Sequence, residues 1–399
     1  MEIKEVLLNI DGMNERFATL ILRYIDTYIN MSSNKAVVAN NIVQQIKRNV
    51  TAIRFKSLDG VSGAVSNLGT IITLDDTLDE RNLDNTFLHE FTHLISKNEY
   101  MDENDLIQPN CGFKVGQDDR MDFTAGFRLT QWEVDGNNYA YNKGIETFDE
   151  WVTEWLANKM SGFINVEVKE DDNGFFRKKT SHGYDGSNVM NLLELVYGSE
   201  NVANLITGFD LTEEERKSVI PIKEIHKLNQ MIDSESILTE EEKEIFKNLQ
   251  PPYMKTPNIT GLMSYYISEY QKQDNLQEHN VYLQKMLNVL VRTYSVSFAN
   301  KINKCNSIDD LRNIYGELSV IQNSMIWTED LDKLKSLETF QVFEKMKQDF
   351  SSRATMLNAN VEDFSSLYLS PSQLLEKFRS EEAEVQRLNQ TNVETTQKK

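Results

Sequence analysis

The chain is poor in the residues that staple a fold or cross a membrane. Its 399 residues include two cysteines, Cys111 and Cys305, far apart and in no C-x-x-C arrangement. That excludes a disulfide framework and a cysteine metal clip, and makes a reducing compartment the expected home. No apolar run approaches the roughly 20 residues that span a bilayer. FATLILRYI (17–25) comes nearest and is interrupted by Arg23. The opening MEIKEVLLNIDGM is acidic at Glu2, with no long apolar core and no small-residue cleavage site, so no secretory signal is expected. The expectation is a cytoplasmic protein, with export by a signal-less route left open. Positive charge is also scarce: 42 Lys and Arg face 62 Asp and Glu, for a formal charge of -20. Nucleic-acid binding needs a basic surface and is disfavoured, as is docking on anionic membranes. Only six prolines beside abundant Asn and Lys point to an AT-rich bacterial source.

What is present can build a core. Forty per cent of the residues are hydrophobic and 10% aromatic, and the length suits about two or three domains. Residues 13–31 place Phe17, Leu20, Ile21, Tyr24 and Ile25 at helical spacing, and a second helix is expected over about 34–49. TAIRF (51–55) and GTIITL (69–74) are β-branched and bracketed by turn residues, and read as strands of a small sheet. A helical period returns over 80–96. Residues 98–145 read as loop and short strand, with DGNN (135–138) as a turn. A helix over 147–160, a hairpin turning at Asn173-Gly174 and a helix over 187–206 follow. From about 209 the chain reads as amphipathic helices without strand alternation. The tail after 381 has too few apolar residues to pack and is expected to be disordered. The fold class expected is α+β: a mixed first domain (1–208), then an all-helical one (209–380).

The chemistry lies in TFLHEFTHLIS (86–96), which contains His89, Glu90 and His93 in the order H-E-x-x-H. Residues four apart on a helix share a face, so His89 and His93 can offer two nitrogens to one ion. Glu90 is rotated about 100° from His89, a position that suits a general base acting on water held by a Zn2+ ion. A catalytic zinc site needs a third protein ligand. Among downstream acids and His182, Glu150 and Glu154 stand out because they lie four apart on one expected helix. One could bind zinc while the other orients a histidine through its free ring N–H. Thr147-Phe148-Asp149-Glu150 also fits a capping box, in which Glu150 merely caps the helix.

HEFTH followed by DEWVTE resembles the gluzincin zinc metallopeptidases, the thermolysin-like group. Glu-x-x-Thr-Glu is similar to the Glu-x-x-Ala-Glu turn of anthrax-lethal-factor-like peptidases. The resemblance covers roughly 69–206 and is specific at these two motifs. It implies a zincin-like catalytic domain, with a small mixed sheet, the metal helix and a second helix bearing the glutamate ligand. Glu150 would be that ligand and Glu154 the carboxylate behind a histidine. The gap from His93 to Glu150 is long for thermolysin itself, and position 154 is Glu where Asp is usual. The Gly-Ala-Met-Glu-Asn aminopeptidase signature is absent, which favours an endopeptidase. Such enzymes use a Tyr or His to stabilise the oxyanion. SHGYD (181–185) offers Tyr184, the first choice, and His182, with Tyr139 and Tyr141 as alternatives. GTIITL would be the edge strand that pairs with an extended peptide.

Other signals are weaker. EDDNG (170–174) has calcium-like residues but reads as a turn, Cys111 as a loop thiol, and His226 and His279 as solvated residues on polar helices. The reading is therefore a zinc-dependent peptidase acting on peptide or protein substrates. The alternatives are a non-catalytic binding protein that retains a zincin-like fold, and a helical interaction protein in which the motif is incidental.

Overall fold

The computed structural model describes residues 2–65, 70–96, 146–181, 184–212, 227–248 and 258–396, together with short strand segments between 100 and 141. The architecture is mixed α and β and mostly helical. It divides into two units, residues 1–163 with 199–230, and 164–198 with 231–399. This partition differs from the boundary expected at 208: the hairpin and the helix after it belong with the C-terminal helices.

The first unit begins with three helices, α1 (Glu2–Leu8), α2 (Glu15–Met31) and α3 (Lys35–Asn49). Asn14 caps α2 by accepting from the Phe17 N–H at 2.9 Å. Strands β1 (Ala52–Lys56), β2 (Gly63–Val65) and β3 (Ile71–Asp75) form one sheet in the order β1-β3-β2. GTIITL is therefore its central strand, parallel to β1 and antiparallel to β2, and not an edge. The reason lies in its composition: Ile72 and Leu74 are fully buried, and pairing on both sides satisfies the backbone that such burial dries.

Helix α4 (Glu80–Ile95) packs against β2, β3, α2 and α3. Asp79 sits at its start and accepts from the Asn82 N–H at 2.9 Å, which anchors the first turn. Phe87, Leu88, Phe91, Leu94 and Ile95 are completely buried. Phe87 stacks on Phe17 at 4.2 Å and Phe91 meets Tyr24 edge-on at 5.4 Å. Each such side chain contributes about 1.5–3 kcal/mol through burial, so the metal-motif helix is held on a rigid core. After α4 come paired strands β4 (Tyr100–Met101) and β5 (Ile107–Gln108). A four-stranded antiparallel sheet follows, β6 (Lys114–Val115), β7 (Arg120–Ala125), β8 (Arg128–Asp135) and β9 (Asn138–Tyr141). Helix α5 (Glu146–Ser161) then packs along α4 through a seam.

The helix expected over 187–206 is two, α6 (Ser187–Tyr197) and α7 (Ser199–Thr207), broken at Gly198 with φ of 85°. That conformation favours glycine, and the break falls where the chain passes from one unit to the other. The second unit is not all-helical. Its hairpin, β10 (Glu167–Glu170) and β11 (Phe175–Lys179), gains a third strand, β12 (Trp327–Thr328). Arg177 of β11 is fully buried and makes a two-pronged ion pair with Asp185, with Nη1–Oδ1 at 2.7 Å. The C-terminal helix spans Pro371–Thr396. The segment after 381 is thus helical through Thr396, in contrast to the disorder expected; Leu374 and Phe378 bury its first turns and Glu381 pairs with Lys178 at 3.0 Å. No helix among the described residues is long and apolar enough to cross a membrane.

Candidate metal centre

The α4–α5 seam is polar at one place, and there the two motifs meet. His89 and His93 lie one turn apart on α4, and their Nε2 atoms are 3.1 Å from each other. Glu150 of α5 places Oε2 at 3.0 Å from His89 Nε2 and 3.3 Å from His93 Nε2. The three side chains each present one donor atom within 4.8 Å of the others. Zinc with ligands at roughly 2.0–2.1 Å sets tetrahedral ligand-to-ligand edges of about 3.3–3.4 Å. The observed triangle is within a few tenths of an ångström of that size, so the donor set fits a zinc ion with one coordination position left over.

The far side of each ring is also occupied. His89 Nδ1 faces Glu154 Oε2 at 3.3 Å, and His93 Nδ1 faces Asp149 Oδ2 at 3.4 Å. With a metal bound at Nε2 of each ring, a carboxylate behind Nδ1 is the partner that would orient the imidazole. Asp149, Glu150 and Glu154 are 1%, 6% and 4% exposed, and Glu90 is 8% exposed. Four buried carboxylates around two imidazoles demand positive charge. Burial would push the pKa of His89 down, but the bond to Glu154 and the charges of Glu90, Glu154 and Asp149 raise it above the usual value. A divalent cation meets the same demand more fully.

Glu90, next to His89, is packed by strand β2. A Cβ on Gly63 would lie 2.9 Å from Glu90 Cγ and 2.7 Å from Thr86 Cγ2, so only glycine lets the strand come this close. The backbone of β2 thereby borders the carboxylate.

The expected residues fall into three groups. His89, His93, Glu150 and Glu154 come together, with Glu90 beside them. Thr147 lies inside α5, which spans Glu146–Ser161. Tyr184 belongs to the second unit; its side chain is 37% exposed and its carbonyl accepts from the Ser181 hydroxyl. His182, His226 and Cys111 lie outside the described residues, as do the side chains of Tyr139 and Tyr141. His279 is not simply solvated: it stacks on Tyr270 at 4.2 Å and its Nε2 meets the Gln273 carbonyl at 3.0 Å. The calcium-like turn is structural, because Asp171 Oδ1 accepts from the backbone of Asn173 and Phe175. Asp149 is the residue that sequence reasoning missed. Its signal was its place beside Glu150, which points it at the other histidine. No family model matches the chain, and no curated protein or solved structure is significantly similar to it.

Proposed function

We propose that this chain is a zinc-dependent endopeptidase with a zincin-like first unit. The observation that supports it is the triangle of His89 Nε2, His93 Nε2 and Glu150 Oε2, with edges of 3.0–3.3 Å and an acid behind each ring. Zinc held there would polarise a peptide carbonyl and lower the pKa of a water to about 7. Glu90 accepts the proton of the attacking water on a carboxylate oxygen and returns it to the leaving amine. Its packing against Gly63 limits the positions that carboxylate can take. Strand β2, an edge among the described strands, offers backbone hydrogen bonds to an extended peptide beside Glu90.

The test compares wild type with Glu90→Gln for bound zinc and for cleavage of a quenched-fluorescent peptide library. Equal zinc with cleavage lost only in the variant is the expected result. Cleavage that persists in Glu90→Gln would overturn the role of Glu90. Zinc bound by both proteins and cleavage by neither would favour the non-catalytic binding protein.

A further inference from the structure

The second unit holds a cavity of about 330 Å³ between the turn of the β10–β11 hairpin and the long helix Leu276–Lys304. Phe175, Val281, Ile326 and Leu337 supply apolar wall, and two side chains of opposite charge, Asp171 and Lys285, also line it. Small-molecule sites are built this way, with volumes from about 300 Å³ upward and a few placed polar groups among apolar ones.

Asp171 is 8% exposed. Its Oδ1 accepts the N–H groups of Asn173 and Phe175, each at 3.0 Å, and its Oδ2 accepts Asn280 Nδ2 at 2.8 Å. A carboxylate offers about four acceptor positions, so one on Oδ2 is left over. Asn280 is fixed in this role. Its Oδ1 accepts from Arg177 Nε at 3.0 Å, and arginine only donates. Arg177 is itself matched by its two-pronged pair with Asp185. Among the described residues, Asp171 therefore has three neutral donors and no ion pair. A buried charge without a counter-charge is costly. Lys285 is in the converse position. Its ammonium lies over the Tyr282 and Tyr266 rings at 5.2 and 5.7 Å, and it pairs with no carboxylate among the described residues. Ring faces hold a cation in place without cancelling its charge.

The spacing of the two charges sets the ligand. Asn280, which holds Asp171, and Lys285 lie on the same helix, separated by an axial rise of about 7.5 Å. In a free amino acid the ammonium and carboxylate share one carbon. A dipeptide sets them on Cα atoms about 3.8 Å apart and brings a second side chain. We propose that this cavity binds a dipeptide with apolar side chains. Asp171 receives its ammonium, Lys285 its carboxylate, and Phe175, Val281, Ile326 and Leu337 its side chains. The proposal does not rest on the metal centre, and its test needs neither zinc nor cleavage.

Isothermal titration calorimetry on the full chain uses leucyl-leucine, its N-acetyl and C-terminal amide derivatives, and free leucine as probes. Saturable binding of leucyl-leucine is expected, weakened about tenfold or more when either end is blocked, as for lost hydrogen bonds to charged groups. Lys285→Gln should weaken leucyl-leucine by a similar factor and leave the amide derivative nearly unchanged. Val281→Trp fills the cavity and should abolish binding of both. Lys285 and Val281 are exposed, so neither change should unfold the chain. No saturable binding of leucyl-leucine, or binding untouched by Val281→Trp, would overturn the site. Blocked peptides that bind as tightly as the parent, or wild-type affinity in Lys285→Gln, would overturn the charge assignment. Free leucine binding more tightly than leucyl-leucine would overturn the dipeptide.

Discussion

Replacing Gly63 by alanine drives a methyl group into the place where β2 lies against α4. The new Cβ would lie 2.7 Å from Thr86 Cγ2, 2.9 Å from Glu90 Cγ and 3.2 Å from Glu90 Oε1. Interiors packed at crystal-like density do not absorb such overlaps without movement. Thr86 is 9% exposed on a helix whose other face is completely buried, so it is poorly placed to retreat. Glu90 or the short strand must move instead. Overpacking of this kind costs about 1–3 kcal/mol. A shift approaching 1 Å at a catalytic group costs about 100-fold in rate, so a partial shift of Glu90 should lower kcat by roughly 10–100-fold. The three donor atoms lie on other side chains and should keep their zinc. The assay combines kcat on a cleaved peptide, zinc per chain and chemical denaturation. A variant with wild-type kcat and stability would show that β2 does not press on Glu90. Loss of zinc would show that the strand supports the donors themselves.

Two further outcomes are expected. In metal-free protein the raised pKa of His89 means that its charged form contributes stability, fully present below the unfolded-state value and lost as pH rises through the folded one. Metal-free protein should therefore melt at falling temperature through that window while zinc affinity rises. Calorimetry in buffers of different ionisation enthalpy should record proton release on zinc binding, and its absence would contradict the assignment. In the second unit, Asp185→Ala strands the fully buried Arg177 guanidinium and should cost about 3–5 kcal/mol in urea unfolding. Burial pushes the Asp185 carboxyl up, but Arg177, Lys179 and Tyr270 hold it below the usual carboxylate range. Its contribution should be present above the unfolded carboxylate value and lost as pH falls through the folded one, which an acid titration of stability checks.

Much of the local structure was legible in the sequence because its signals are local. The period of Phe87, Leu88, Phe91 and Leu94 marks α4, and Asn173-Gly174 marks the hairpin. The four-residue spacing of Glu150 and Glu154 singled out those acids before any contact was known. What failed depends on partners distant in sequence. GTIITL looks the same as an edge or a centre, and only its pairing with both β1 and β2 decides. The dipeptide Trp327–Thr328 joins a sheet solely because the hairpin is there to receive it. The segment after 381 is poor in apolar residues, yet Leu374 and Phe378 anchor the helix that carries it. At the site, H-E-x-x-H names its own residues. The acid behind His93 is visible only when α5 lies along α4, which is why Asp149 emerged from the structure.

The most direct measurement is zinc bound per chain, by elemental analysis, in wild type and Glu150→Ala purified without added metal or chelator. A ratio near one in wild type, and far below one in Glu150→Ala with its fold intact, is the expected result. A wild-type ratio near zero that added zinc does not restore would contradict the metal centre, and with it the peptidase.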